Sequence, residues 1–137
     1  MSGFRDLKVW QKSKELAVNI YRITQESLFA RVFGFKDQIR RAAVSIPSNI
    51  AEGDERGSNK DAVRFLYIAK GSLAELQTQL EIAFEIGYLS DKIMKELYDS
   101  SQTIGKMLGS LIKARSKNFN PCNGQIKTDT GLGRFPL

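Results

Sequence analysis

The side chains that most often do chemistry in proteins are scarce in this sequence. It has no histidine and a single cysteine, Cys122, among 137 residues. Without imidazole, the Ser-His-Asp and Cys-His nucleophile systems, histidine zinc sites and the Glu-x-x-His ligands of di-iron bundles are excluded. A lone cysteine allows no internal disulfide and no cysteine metal cluster, and nothing near Cys122 in the sequence would activate its thiol. We therefore expect a binding function, with no enzymatic activity, no cofactor and no metal.

Two glutamates, Glu52 and Glu75, are the candidate carboxylate pair for acid–base catalysis or for metal binding. Two glutamates without histidine or further carboxylates make a weak metal site. Ion pairing within the chain is the competing interpretation, in which Glu52, Glu75 or Glu81 pairs with Arg40 or Arg56. We expect the ion pairs.

Basic residues are the second chemical feature, because 21 Lys and Arg against 15 Asp and Glu give a formal charge of +6. The charge is unevenly distributed, since residues 100–128 contain no acidic residue. Such a segment suits contacts to phosphates, although a solvated, lysine-rich helix face is the competing interpretation. The candidate phosphate-contacting residues are Lys36, Arg41, Lys106, Lys113, Arg115 and Lys117.

The elements that position these residues are four predicted helices. Apolar residues recur at steps of three and four over residues 6–28, 35–52 and 92–115, and a heptad seam runs from a Ser58 cap to Gly87. No stretch alternates apolar and polar residues as a β-strand does. No stretch is apolar enough for a membrane span or a signal peptide. We predict an all-α, antiparallel up-down-up-down four-helix bundle over residues 1–116, followed by a flexible basic tail at 117–137. The unpaired cysteine favours the cytoplasm.

The third predicted helix is apolar beyond its heptad seam, at Val63, Phe65, Ile68, Phe84 and Ile86. A helix with apolar residues on more than one face of a soluble protein usually packs against a second partner. We therefore expect the chain to form a homo-oligomer.

Two segments differ from ordinary bundle helices. Residues 42–53 place Ser45, Pro47 and Asn49 inside the second helix, and we expect one kinked helix whose Ser and Asn side chains bond the freed backbone groups. Gly71 lies inside the third helix, where glycine costs about 1 kcal/mol relative to alanine. A close helix crossing at Gly71 would explain its presence.

These segments, residues 42–53 and 68–76, resemble the small four-helix-bundle family encoded in intervening sequences of bacterial 23S rRNA genes. The resemblance includes residues 4–10 (FRDLKVW) and 87–89 (GYL), and it covers about residues 4–115. It implies a ring-shaped homopentamer. A more distant similarity, to the accessory variability determinant of diversity-generating retroelements, implies a basic barrel that binds nucleic acid and a reverse transcriptase. The residues expected to carry the structural motif are Arg40, Ser45, Pro47, Asn49, Glu52, Arg56, Gly71 and Glu75.

We expect a basic RNA- or DNA-binding accessory protein that contacts the backbone and distinguishes few bases. Five copies would raise the charge of +6 to about +30, which favours polyanions through counterion release. Trp10 and Tyr21 are able to stack on bases, but their helical spacing predicts core positions. The alternative is a scaffold that binds a protein such as a reverse transcriptase, in which the charge serves solubility.

Overall fold

The computed structural model of the protein describes residues 3–119. Four α-helices occupy this range: α1 (Lys8–Thr24), α2 (Phe33–Glu55), α3 (Asn59–Glu85) and α4 (Asp91–Phe119). Short 3-10 helices at Phe4–Asp6 and Ser27–Arg31 precede α1 and α2. Residues 3–119 contain no strand, so the predicted all-α class is confirmed. None of these helices has the length and apolar character needed to cross a bilayer.

The four helices form the predicted antiparallel bundle. Each helix packs against its neighbours in the chain, and α4 closes the bundle by packing against α1. Within residues 3–119, no Cα atoms of the diagonal pairs α1–α3 and α2–α4 come within 8 Å of each other, although the long Arg115 side chain of α4 reaches Asp54 of α2. Short links between consecutive helices impose this up-down-up-down order.

The core follows the predicted heptad seam of α3. Its buried members are Ala62, Leu66, Ala69, Leu73, Leu76, Leu80 and Ala83. Isoleucines and leucines of the other helices meet this seam, and Ile20, Ile46 and Leu108 among them are at most 1% exposed. Because each such side chain contributes roughly 1.5–3 kcal/mol on burial, packing holds these helices together more than their intrinsic propensity does.

The predicted boundaries of α3 and the start of α4 are confirmed by their caps. The Ser58 hydroxyl accepts a bond from the Asp61 amide at 3.1 Å, and the Ser90 hydroxyl accepts one from Ile93 at 3.2 Å. Gly87 follows α3 with a φ of +89°, the left-handed conformation that glycine adopts readily at helix ends. Helix α4 continues through residues 117–119, and the remaining residues of the predicted tail, 120–137, lie outside the described range.

The connection between α1 and α2 differs from the prediction of a helix reaching residue 28. Helix α1 ends at Thr24, and the 3-10 helix that follows brings Phe29 into the core, where it is 1% exposed. The Phe29 ring lies 5.1 Å from Tyr88 and 5.9 Å from Phe35, measured between centroids. This aromatic cluster fills one end of the bundle, and burial of Phe29 explains why α1 stops early.

Helix α2 is continuous through the buried Pro47, as predicted. The Asn49 side chain donates to the Ser45 carbonyl at 2.8 Å and to the Ser45 hydroxyl at 2.9 Å. The Ser45 hydroxyl in turn lies 2.8 Å from the Ser72 hydroxyl on α3. The polar residues around Pro47 therefore link α2 to α3 in addition to bonding the local backbone.

A close approach of α2 to α3 occurs at Gly53, and none occurs at Gly71 within the described residues. A Cβ atom added to Gly53 would lie 2.8 Å from the Phe65 Cβ and 3.2 Å from the Ala62 Cα, so a larger residue does not fit. A Cβ added to Gly71 would meet no heavy atom within 4 Å. The predicted crossing at Gly71 is wrong for the single chain, because Gly71 lies on the exposed side of α3.

Candidate nucleic-acid interface

Three of the predicted phosphate-contacting residues lie along one stripe of α4. Lys106, Lys113 and Lys117 fall within about 40° of one another around the helix at 3.6 residues per turn. All three are exposed, and among the described residues no carboxylate lies within 4.0 Å of any of them. We call these three residues the lysine stripe.

A groove separates the lysine stripe from the start of α1. It has a volume of about 410 Å³ and is open to solvent. Its apolar lining consists of Leu7, Val9, Met107, Leu111 and Ala114. Its polar lining consists of Lys8, Lys106 and Ser110. We call this feature the α1–α4 groove; Lys12, one helical turn after Lys8, extends the cationic surface along α1.

Arg115 does not belong to the lysine stripe. It follows Lys106 by nine residues, which places it about 180° away around α4. Its Nη2 atom donates to Asp54 Oδ1 of α2 at 3.0 Å, and the two side chains are 23% and 19% exposed. The structure therefore gives Arg115 a carboxylate partner inside the bundle and separates it from the other predicted residues of α4.

Lys36 and Arg41 also lie apart from the lysine stripe. Both belong to the first half of α2, at the end of the bundle opposite to the last turns of α4. The Arg41 Nε atom lies 3.4 Å from Asp37, and both side chains are well exposed. The Lys36 ammonium lies 5.0 Å from the centroid of the Phe33 ring. The six predicted residues thus do not form one surface.

The two arginines expected to pair with glutamates behave differently. Arg56 lies 3.0 Å from Glu52, as expected, on the surface of α2. Among residues 3–119, no carboxylate lies within 4.0 Å of Arg40: its Nε donates to the Thr24 hydroxyl at 2.8 Å and its Nη2 to the Tyr21 carbonyl at 3.1 Å. The predicted carboxylate partner of Arg40 is wrong, because its guanidinium instead bonds the end of α1, where helix carbonyls attract cations.

The two aromatic residues of α1, Trp10 and Tyr21, lie in different environments. Trp10 packs against the core, in agreement with its helical spacing. Tyr21 is 42% exposed, and the Arg40 guanidinium lies 4.2 Å from the centroid of its ring. The predicted core position of Tyr21 is wrong, since this cation–π contact covers the ring instead.

Glu52 and Glu75 are not brought together. Ser45 faces Ser72 across the α2–α3 pair, so the antiparallel register separates the two glutamates by roughly 15 Å along the helix axes. The Glu75 carboxylate is 3.5 Å from the side-chain amide of Gln79 on its own helix, and Glu52 binds Arg56. Residues 3–119 contain no group of three or more Asp, Glu or Cys side chains placed to hold a metal ion.

The outward side of α3 carries exposed hydrophobic residues. Ile68, Ile82 and Ile86 are 43%, 47% and 53% exposed, and they share this side with Gly71. We call these four residues the α3 outer face. Other residues expected to widen the apolar surface do not contribute: Val63 and Phe65 are buried, and Phe84 packs against the core.

The comparisons with known proteins agree on the family. A family model described as 23S rRNA-intervening sequence protein matches residues 5–110. A similar solved structure is that of a protein with unknown function from the S23 ribosomal protein family of Bacteroides thetaiotaomicron VPI-5482. It is 29% identical to this chain, with a TM-score of 0.66, over 77% of this chain and 98% of that one. No curated protein matches the chain significantly. Because the family model covers well over half of the sequence, the chain belongs to the 23S rRNA-intervening sequence protein family.

Proposed function

We propose that this protein is a non-enzymatic, oligomeric accessory factor that binds RNA or DNA through the phosphate backbone. The observation that carries the proposal is the lysine stripe, together with Lys8 and Lys12 on the neighbouring helix. In the described part of the chain, these five exposed cations have no carboxylate within 4.0 Å. Their charge is therefore directed to solvent.

The geometry of the stripe suits a backbone contact. Lys106 and Lys117 are about 16 Å apart along the axis of α4 at 1.5 Å per residue. A nucleic-acid strand presents several phosphates over that length, at one per about 3.4 Å of duplex axis. Lysine is a point charge that attracts phosphates without distinguishing bases, so we expect affinity with little sequence preference.

Oligomerisation strengthens the proposal. The α3 outer face exposes three isoleucines beside Gly71, where the absence of a side chain permits a second helix to approach closely. A partner copy on this face would shield the isoleucines from water and multiply the cationic surfaces in one particle. We propose a homo-oligomer on these grounds, and a pentameric ring on the family resemblance.

A protein-binding scaffold is the second candidate function, with a partner such as a reverse transcriptase. The observation that favours it is the same α3 outer face, since exposed isoleucines on one helix suit a protein partner as well as a second copy. For either function we propose the cytoplasm as the site of action, because the sequence has one cysteine and no disulfide to form.

A charge-matched pair of variants tests the nucleic-acid proposal. The stripe variant carries Lys106→Gln, Lys113→Gln and Lys117→Gln; the control carries Lys14→Gln, Lys92→Gln and Lys95→Gln, which removes the same charge elsewhere. Fluorescence anisotropy with a labelled RNA should show at least a tenfold loss of affinity for the stripe variant and a small loss for the control. Equal losses, or no binding by the unmodified protein, would refute the proposal.

A further inference from the structure

Among residues 3–119, no side chain fills the apolar lining of the α1–α4 groove, which lies at the edge of a cationic surface. Its volume of about 410 Å³ is ample for several water molecules. Leu7, Met107 and Leu111 are only half-buried there, so part of their apolar surface faces this water. Displacing water from such a lining with an apolar group is favourable.

The charges around the groove select for an anionic occupant. Lys8 from α1 and Lys106 from α4 both line it, and the described part of the chain contributes no carboxylate to the lining. Lys113 and Lys117 continue the positive charge along the same helix. An occupant that matches both features has an apolar, flat group for the groove and negative charges for the lysines beside it.

A nucleotide in a single strand has this combination, whereas a duplex does not. In a duplex the base faces are stacked on one another, and a rigid helix would contact the lysines while leaving the groove filled with water. An unpaired base offers its face to apolar side chains while the adjoining phosphates reach the cations. We propose that the α1–α4 groove binds an unpaired base and that the protein prefers single-stranded over double-stranded nucleic acid. This inference rests on the proposed function and adds to it the class of ligand.

The test uses three forms of one labelled oligonucleotide: the single strand, the duplex, and a single strand with abasic sites, which keeps the phosphates and removes the bases. The groove variant carries Ser110→Leu and Ala114→Leu, which fill the groove from α4 without changing charge. Its matched control carries Ser100→Leu and Thr103→Leu, at exposed positions of α4 outside the groove. Circular dichroism establishes that all forms of the protein are equally helical.

We expect the unmodified protein to bind the single strand about tenfold more tightly than the duplex or the abasic strand. The groove variant should lose that preference and keep its affinity for the duplex, and the control should behave like the unmodified protein. Equal affinity for the intact and abasic strands would overturn the inference while leaving the proposed function standing. If the groove variant keeps the full preference for the single strand but no longer binds an acidic, amphipathic peptide that the unmodified protein binds, the inference is overturned in favour of a protein ligand. Absence of binding to every oligonucleotide would refute the proposed function itself.

Discussion

Arg115 and Asp54 form an ion pair with an Nη2–Oδ1 distance of 3.0 Å and largely buried side chains. The pair joins the last turns of α4 to the end of α2, directly beneath the helix surface that carries Lys113 and Lys117. The arginine therefore supports the helix, and the lysines supply the charge that faces solvent.

Replacing this arginine should affect stability more than binding. We expect Arg115→Gln to lower the free energy of unfolding by about 1–3 kcal/mol, because Asp54 loses its charged partner in a mostly buried position. Arg41→Gln, which removes a well-exposed pair with Asp37, should cost less than about 0.5 kcal/mol. Urea denaturation measures both. A larger loss of RNA affinity for Arg115→Gln than for Lys113→Gln would contradict the assignment.

The contact between Gly53 and α3 predicts that a larger side chain at position 53 destabilises the protein. Gly53→Ala should destabilise the protein by about 1–3 kcal/mol, since the new methyl group would overlap the Phe65 Cβ position. Gly109→Ala is the control, because a Cβ there meets no heavy atom within 4 Å, and it should stabilise α4 by about 0.5–1 kcal/mol. If both variants shift the urea midpoint in the same direction, the described α2–α3 packing is incorrect.

The hydroxyl pair of Ser45 and Ser72 should be energetically coupled. Ser45→Ala leaves Ser72 and the Asn49 amide each without one partner and should cost about 1 kcal/mol, as should Ser72→Ala. The double variant should lose clearly less free energy of unfolding than the two single variants lose together, because the second substitution removes a hydroxyl that the first has already left unpaired. Additive changes in the free energy of unfolding would show that the two hydroxyls do not interact.

The exposed isoleucines of the α3 outer face predict that the protein is a homo-oligomer in solution. The unmodified protein should have a mass in solution that is a multiple of the 15.4 kDa chain, measured by light scattering or sedimentation equilibrium. Ile82→Glu with Ile86→Glu should reduce it to one chain while helicity is unchanged. Val18→Glu with Leu28→Glu adds the same charge at other exposed apolar positions and should leave the assembly intact. A monomeric unmodified protein would refute the oligomer.

The sequence predicts the helices well, because the signals that define them are local. The heptad seam of α3, the Ser58 and Ser90 caps and the glycine at position 87 each act within a few residues. The exception is Phe29, whose burial ends α1 early through contacts with Tyr88, which lies far along the chain.

The candidate site is harder to predict, because it depends on which helix faces pack against each other. The position of Arg115 follows from helical phase alone, since nine residues turn a helix by about 180°, and the sequence contained that signal. The partners of Arg40 and the close approach at Gly53 depend on how α2 packs against α1 and α3. The α1–α4 groove arises from the spacing of two helices distant in sequence, which no local pattern encodes.

The salt dependence of RNA binding shows whether the lysine stripe contacts phosphates. The logarithm of the association constant for a labelled RNA should fall linearly with the logarithm of salt concentration, for the unmodified protein and for both triple-glutamine variants. With a single-stranded RNA, the stripe variant, without Lys106, Lys113 and Lys117, should have a slope shallower by about 2, at roughly 0.7 per lost phosphate contact. The control variant should keep a slope close to that of the unmodified protein. Binding whose slope is the same in all three proteins would show that the lysine stripe makes no phosphate contacts.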